Sequence, residues 1–291
     1  MSTRVPVICI RAHGLLGALV LITAWLGANE RSAMANPTCG SELIPPAALA
    51  MGFNQLVIDS CPTPDDVSKD GTGIFEWYNG HQWWTEVQQP DPANYTANIY
   101  GQLLIKLGGS ITTVTRSMQP GKFPLLPGAR GFYVEFTVQL SDNNPDHLPA
   151  VWVMPAEHGL GQADHYYPDP IGYERWFELD VDEGGYTAGF MGTALSWQGK
   201  WPAYKWVKNN PIWNVPPLDR SQVNTFAAAF QPGSLKVTWW LNGVLQYTAN
   251  NPAVPLVARK QNFYLIVTAN HRGLGIPYQM KLLRARAYVP R

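Results

Sequence analysis

Charge is scarce in this sequence, and neither sign dominates. Of 291 residues, 21 are Lys or Arg and 21 are Asp or Glu, so the formal net charge is zero. Without a basic surplus the chain lacks the clustered Lys and Arg that neutralise phosphates, which argues against nucleic-acid binding. Cysteine is rare too, with three residues, and no Cys/His spacing of the zinc-binding kind occurs. Internal repeats, low-complexity tracts and internal linkers are missing. Long amphipathic helical patterns are also missing, which removes helix bundles and alternating α/β folds from consideration.

Large apolar side chains and chain-turning residues are abundant instead. Hydrophobic residues make up 46%, and there are 12 Trp, 26 Gly and 25 Pro. So many rings can bury enough apolar surface to exclude disorder. Dense Gly and Pro punctuation suits short strands joined by turns.

The amino terminus reads as an export signal. Arg4 and Arg11 precede the apolar run Leu15 to Ala28, which ends in polar residues and Ala33-Met34-Ala35. This is the charged, apolar and small-residue order of a cleavable secretory signal. Its 14-residue apolar run falls short of the roughly 20 residues that span a bilayer. Residues 1–35 are therefore expected to be removed, leaving a slightly acidic chain that is secreted or periplasmic and free of the membrane. Cys9 leaves with the signal, and an even pair in an oxidising compartment predicts a Cys39–Cys61 disulfide in the lead, residues 36–70.

Beyond the lead, strand patterns recur. Gly131–Leu140, Leu148–Met154, Arg175–Glu183, Asn262–Thr268 and Gln279–Val289 alternate apolar and mixed residues. Leu235–Leu241 and Val244–Thr248 flank Asn242-Gly243, a strong hairpin signal. One short helix is expected, near Pro46–Met51. The pattern predicts an all-β sandwich or jelly roll.

The chemistry concentrates in Phe177-Glu178-Leu179-Asp180-Val181-Asp182-Glu183. On a regular strand Glu178, Asp180 and Asp182 share one face, and Phe177, Leu179 and Val181 turn to the core. Crowded carboxylates repel, so such a row needs a cation, a proton or a function. Glu183 falls on the wrong face unless a β-bulge swings it round to join Glu178 and Asp180. Two Glu carboxyls ~5–5.5 Å apart would suit a retaining glycosidase.

This segment resembles the Glu-x-Asp-x-x-Glu signature of glycoside hydrolase family 16, the laminarinase, lichenase and agarase group. Gly131-Phe-Tyr-Val-Glu135, Leu148-Pro-Ala-Val-Trp152, Trp239-Trp-Leu-Asn-Gly243 and Leu282–Tyr288 resemble its flanking strands in the same order, over residues 71–291. The resemblance implies a concanavalin-like jelly roll acting on internal β-glycosidic bonds of a polysaccharide, a glucan first and a galactan second. It implies Glu178 as nucleophile, Asp180 as the residue tuning the pair, and Glu183 as acid/base. Asp182 is the alternative acid, disfavoured by the bulge argument and its shorter arm. The chain departs from the family at Thr193–Trp197 and Asn224–Ala228, where a His is usual.

Sugar rings present C–H faces, so Trp84, Trp152, Trp176 and Trp197 are expected substrate platforms. Trp77, Tyr78, Trp83, Trp201, Trp206 and Trp213 are further candidates, about half of the aromatics being core. Arg175 is expected to pair with a surface acid. Glu157-His158 to Asp164-His165 mixes ligand-type residues, but its spacing matches no standard metal pattern, and it reads as a flexible loop at the cleft rim. No metal or cofactor is expected for the chemistry; the family also carries a structural Ca²⁺, for which no ligand set is readable here. The expected partner is a polysaccharide met by a monomer. A lectin-like jelly roll that binds sugar without cleaving it is the competing expectation.

Overall fold

Two sheets pack face to face because their strands alternate apolar and polar residues with period two. The computed structural model describes residues 39, 43–80, 91–161, 163–209, 217–273 and 275–291. The expected signal, residues 1–35, lies outside them, as do Trp83, Trp84 and Trp213. The strands in chain order are β1 Gln55–Ser60, β2 Val67–Ser68, β3 Trp77–Asn79, β4 Tyr95–Ala97, β5 Leu103–Lys106, β6 Ser110–Thr112, β7 Leu126–Pro127, β8 Phe132–Leu140, β9 His147–Pro155, β10 Glu174–Glu183, β11 Thr193–Gly199, β12 Lys205–Lys208, β13 Asn224–Gln231, β14 Lys236–Leu241, β15 Val244–Ala249, β16 Asn262–His271 and β17 Gln279–Val289. Helix α1 spans Pro46–Ala50, and α2, a single turn, spans Ala156–Gly159.

The first sheet runs β15-β14-β13-β8-β17-β5-β4, with β1 also on β17. The second runs β12-β11-β10-β9-β16-β6-β3-β2, with β7 on β16. The expected hairpin is present: Asn242 and Gly243 adopt φ of 50° and 77°, the left-handed pair that joins β14 to β15.

The core fills the space between the sheets. Phe132, Val134, Phe136 and Val138 of β8 meet Phe177, Leu179 and Val181 of β10 in one cluster with Leu265 and Val267 of β16. Trp77 and Tyr78, offered by the sequence as sugar platforms, are fully buried. Trp77 belongs to this core, and its indole donates to Ser60 Oγ at 2.9 Å.

Each sheet has a second, outward face. On the first, Tyr133, Ala227, Ala229, Trp240 and Tyr288 are covered by Ala48 of α1 and Phe53. Cys39 and Cys61 are joined, tying the lead to the end of β1. On the second, Trp152, Met154, Trp176, Tyr264 and Ile266 form a separate aromatic cluster with Trp197 and Tyr204 at its edge. Among the described residues no helix covers that cluster's open side along β10 and β11, and the cleft lies there.

Candidate active site

A cleft of about 470 Å³ opens on the outer face of the second sheet. Its floor and walls come from alternate residues of adjacent strands: Trp152 on β9, Glu178 and Asp180 on β10, Leu195 and Trp197 on β11, and Thr268 on β16, with Trp176 of β10 at the border. Their sequence neighbours Val151, Val153, Phe177, Leu179, Ala194 and Val267 point the other way, into the core. The two-residue period thus sorts core from cleft floor along these strands.

Glu183 also lines this cleft and Asp182 does not. The reason is a register shift in the β9–β10 ladder, where Asp180 faces Trp152 but Asp182 faces Val151. This is the expected bulge. Val181 and Asp182 both turn inward, and Glu183 emerges with Glu178 and Asp180. A bulge strips ladder partners from the backbone, and each stranded group needs another. Trp239 Nε1 reaches across the sandwich to donate to the Asp180 carbonyl at 2.9 Å. Glu183 N donates to Met191 O at 2.8 Å. The strand then stops at Gly184-Gly185: Gly185 has φ of 78°, and a Cβ there would meet His147 O at 2.7 Å.

The inward turn settles where Asp182 sits. It is 2% exposed and forms a two-pronged ion pair with Arg220, whose Nη2 lies 3.0 Å from Asp182 Oδ1. Asp182 is therefore removed from the row of exposed acids that a regular strand would present. Arg220, on the loop before β13, carries no sequence signal of this role.

The three cleft acids have no such counter-ion among the described residues. Burial and mutual repulsion raise their pKa values instead. Asp180, 4% exposed, is held well above the usual carboxylate range, by burial first and then by the charges of Glu178 and Glu183. Glu183 is pushed up to about 8 by burial and by Glu178, with Lys208 and Arg272 pulling weakly the other way. Glu178 reaches about 7, again through burial, but two hydrogen bonds oppose the rise. One comes from Trp197 Nε1, 2.7 Å from Glu178 Oε2, and the other from the Asp180 carboxyl. Glu178 is the acid with two donors aimed at it, and both favour its ionised form.

The expected platforms divide. Trp197 is half-buried in the cleft wall, and Trp152 lines the floor with its Nε1 3.2 Å from Thr268 Oγ1. Trp176 borders the cleft but is 1% exposed, stacked against His158 at 3.8 Å and Trp197 at 5.4 Å. It therefore backs the wall and offers no open face, a correction to its expected role. Trp84 lies outside the described residues. Trp201, 77% exposed, also lines the cleft, as do Tyr186, Tyr204, Lys208 and Asn270, which the sequence did not single out. Trp206 stands outside it on the edge strand. Arg175 pairs with Asp169, both nitrogen–oxygen distances being 2.6 Å, as expected of a surface pair. The segment after β9 begins as the one-turn helix α2 and is held by a His158–Asp164 contact of 2.8 Å. Among the described residues, none of 157–165 lines the cleft.

Among solved structures, κ-carrageenase from Pseudoalteromonas carrageenovora, in complex with an oligotetrasaccharide of κ-carrageenan, aligns with a TM-score of 0.50 at 15% identity, over 73% of this chain and 88% of that one. The fold is the κ-carrageenase jelly roll. An endo-1,3-β-glucanase from Streptomyces sioyaensis aligns with a TM-score of 0.49 at 17% identity, over 86% and 99% of the two chains. A laminarinase from Flavobacterium sp. UMI-01 gives 0.47 at 17%, over 80% and 100%. No protein-family model matches the sequence, and no curated protein does.

Proposed function

We propose that the protein is a secreted or periplasmic, monomeric retaining glycoside hydrolase that cuts internal β-glycosidic bonds of a polysaccharide. One observation carries this reading: the bulge in β10 delivers Glu178, Asp180 and Glu183 into one aromatic cleft while sending Asp182 to Arg220. Acids left without a counter-ion on a built cleft floor cost stability, and a function offsets that cost. Fold alone would not decide it.

The two donors aimed at Glu178 and the raised pKa of Glu183 support the following roles. Glu178 ionises first and attacks the anomeric carbon, forming a glycosyl-enzyme. Glu183 keeps its proton longer and gives it to the departing glycosidic oxygen as the bond breaks. As a carboxylate it then takes a proton from water, whose oxygen attacks the anomeric carbon and frees Glu178. Asp180 retains its proton and hydrogen-bonds Glu178, holding the nucleophile in place. Trp152, Trp197 and Trp201 offer ring surface to the C–H faces of the sugars. A β-1,3- or mixed-linkage glucan is the first substrate class, and a galactan the second, the latter supported by the fold shared with κ-carrageenase.

The test is reducing-end release from laminarin, mixed-linkage glucan, agarose and carrageenan, beside Glu178→Gln as control. NMR of the first-formed product shows whether the β configuration is kept. If the wild-type protein binds one of these glycans and never shortens it, the hydrolase reading fails and the lectin-like one stands.

A further inference from the structure

A second group of ionisable side chains lies behind the cleft wall. His158 belongs to α2, Asp164 to the loop after it, and Glu174 opens β10. One potential ligand atom from each lies within 4.8 Å of the other two. Asp164 is 0% exposed, and its Oδ2 lies 2.8 Å from His158 Nδ1. Its other oxygen, Oδ1, is buried with no hydrogen-bond partner among the described residues. Glu174, 9% exposed, accepts from the Tyr204 hydroxyl. Neither carboxylate has a Lys or Arg ion-pair partner among the described residues, the neighbouring Arg175 being committed to Asp169.

Two buried carboxylates facing one imidazole leave negative charge uncompensated, and an orphaned carboxylate oxygen adds to that cost. A divalent cation would remove both defects. Ca²⁺ takes six to eight oxygen ligands, which this set does not supply. One imidazole nitrogen with two carboxylate oxygens suits Zn²⁺, which is content with three protein ligands and a water.

We propose that His158, Asp164 and Glu174 form a Zn²⁺ site that staples the β9–β10 loop to the base of β10. Its position gives the staple a purpose. His158 stacks on Trp176, Tyr204 meets the same ring edge-on at 4.8 Å, and Trp176 stacks on Trp197, the donor to Glu178. The ion anchors the back of the wall that positions Glu178. The spacing of His158 and Asp164 hid the site, because the third ligand comes from a strand ten residues further on.

The experiment needs no glycan and so stands apart from the hydrolase reading. Tag-free full-length protein is stripped with EDTA, then titrated with Zn²⁺ by calorimetry, with elemental analysis after dialysis and thermal unfolding with and without the ion. The expected result is one Zn²⁺ per chain and a rise in unfolding temperature. Asp164→Asn and Glu174→Gln, which keep side-chain size, should each weaken binding by about 10-fold or more and abolish the thermal shift. Absence of stoichiometric Zn²⁺ in the wild type overturns the proposal, as does undiminished binding in both variants. Saturable Ca²⁺ binding lost in the same variants, with no Zn²⁺ binding, overturns the choice of ion.

Discussion

The outward faces of the two sheets each hold buried or half-buried carboxylates and treat them oppositely. On β8 of the first sheet, Glu135 is 7% exposed and fully partnered: Arg286 Nε lies 3.0 Å from Oε1, and Tyr133 donates to Oε2 at 3.0 Å. On β10 of the second, Glu178, Asp180 and Glu183 have no ion pair among the described residues, and burial raises the pKa of each. The first face is capped by α1, and the second opens into a cleft. An acid given an arginine is part of the framework. An acid denied one, beside others, is kept ready to exchange a proton. Asp182 makes the contrast within one strand, since one step of bulge moves it from the second class to the first.

Substitution of the unpaired acids should break the comparison most visibly. Glu178→Gln is expected to lower kcat on the cleaved polysaccharide about 10⁴-fold or more, whereas Glu135→Gln should leave turnover per folded molecule unchanged. Initial-rate assays at matched folded concentration check both. Glu183→Gln should cost about 10²- to 10⁴-fold on polysaccharide and much less on an aryl glycoside whose leaving group needs no proton. Asp182→Asn should retain both activities, and the reverse pattern would make Asp182 the acid.

Removing the arginines sharpens the other side. Arg286→Ala strands Glu135 and Arg220→Ala strands Asp182. Each should lower unfolding free energy by about 3–5 kcal/mol, measured by urea denaturation near neutral pH.

The smallest effect is on pH dependence. Activity should rise as Glu178 loses its proton near pH 7 and fall as Glu183 loses its own near pH 8. Trp197→Phe, by removing a donor to Glu178, should move the acid limb upward. Stability runs in the opposite sense to a salt-bridged acid. Both pKa values are raised above the unfolded 4.5, so the fold binds protons that the unfolded chain has released. Stability from this source is present below about pH 4.5 and declines as pH rises through 7 to 8. Melting curves of wild type and Glu178→Gln/Glu183→Gln should diverge over that window, with the double variant gaining at pH 8.

Much of this was legible in the residues. The period-two runs placed β8, β9, β10, β16 and β17 close to their observed ends, and Asn242-Gly243 marked its hairpin, because alternation and positive-φ residues are local signals. The bulge could be argued only from chemistry, since Glu183 had to join Glu178 to be useful. Its support was invisible: Trp239 on the Asp180 carbonyl and Arg220 on Asp182 come from distant strands and loops.

The sequence by itself determined the sandwich, the carboxylate strand and the aromatic wealth around it, since each rests on neighbours a few residues apart. Tertiary structure alone decided which acids are partnered, which tryptophans face the cleft and which stand behind it. Desolvation, counter-ions and stacking are set by groups far apart in the chain. Two acids as alike in sequence as Asp180 and Asp182 therefore differ only by what the fold brings beside them. The scarcity of charge that marks the composition has its meaning at this level: where few ions are present, each arginine given to or withheld from an acid separates framework from cleft.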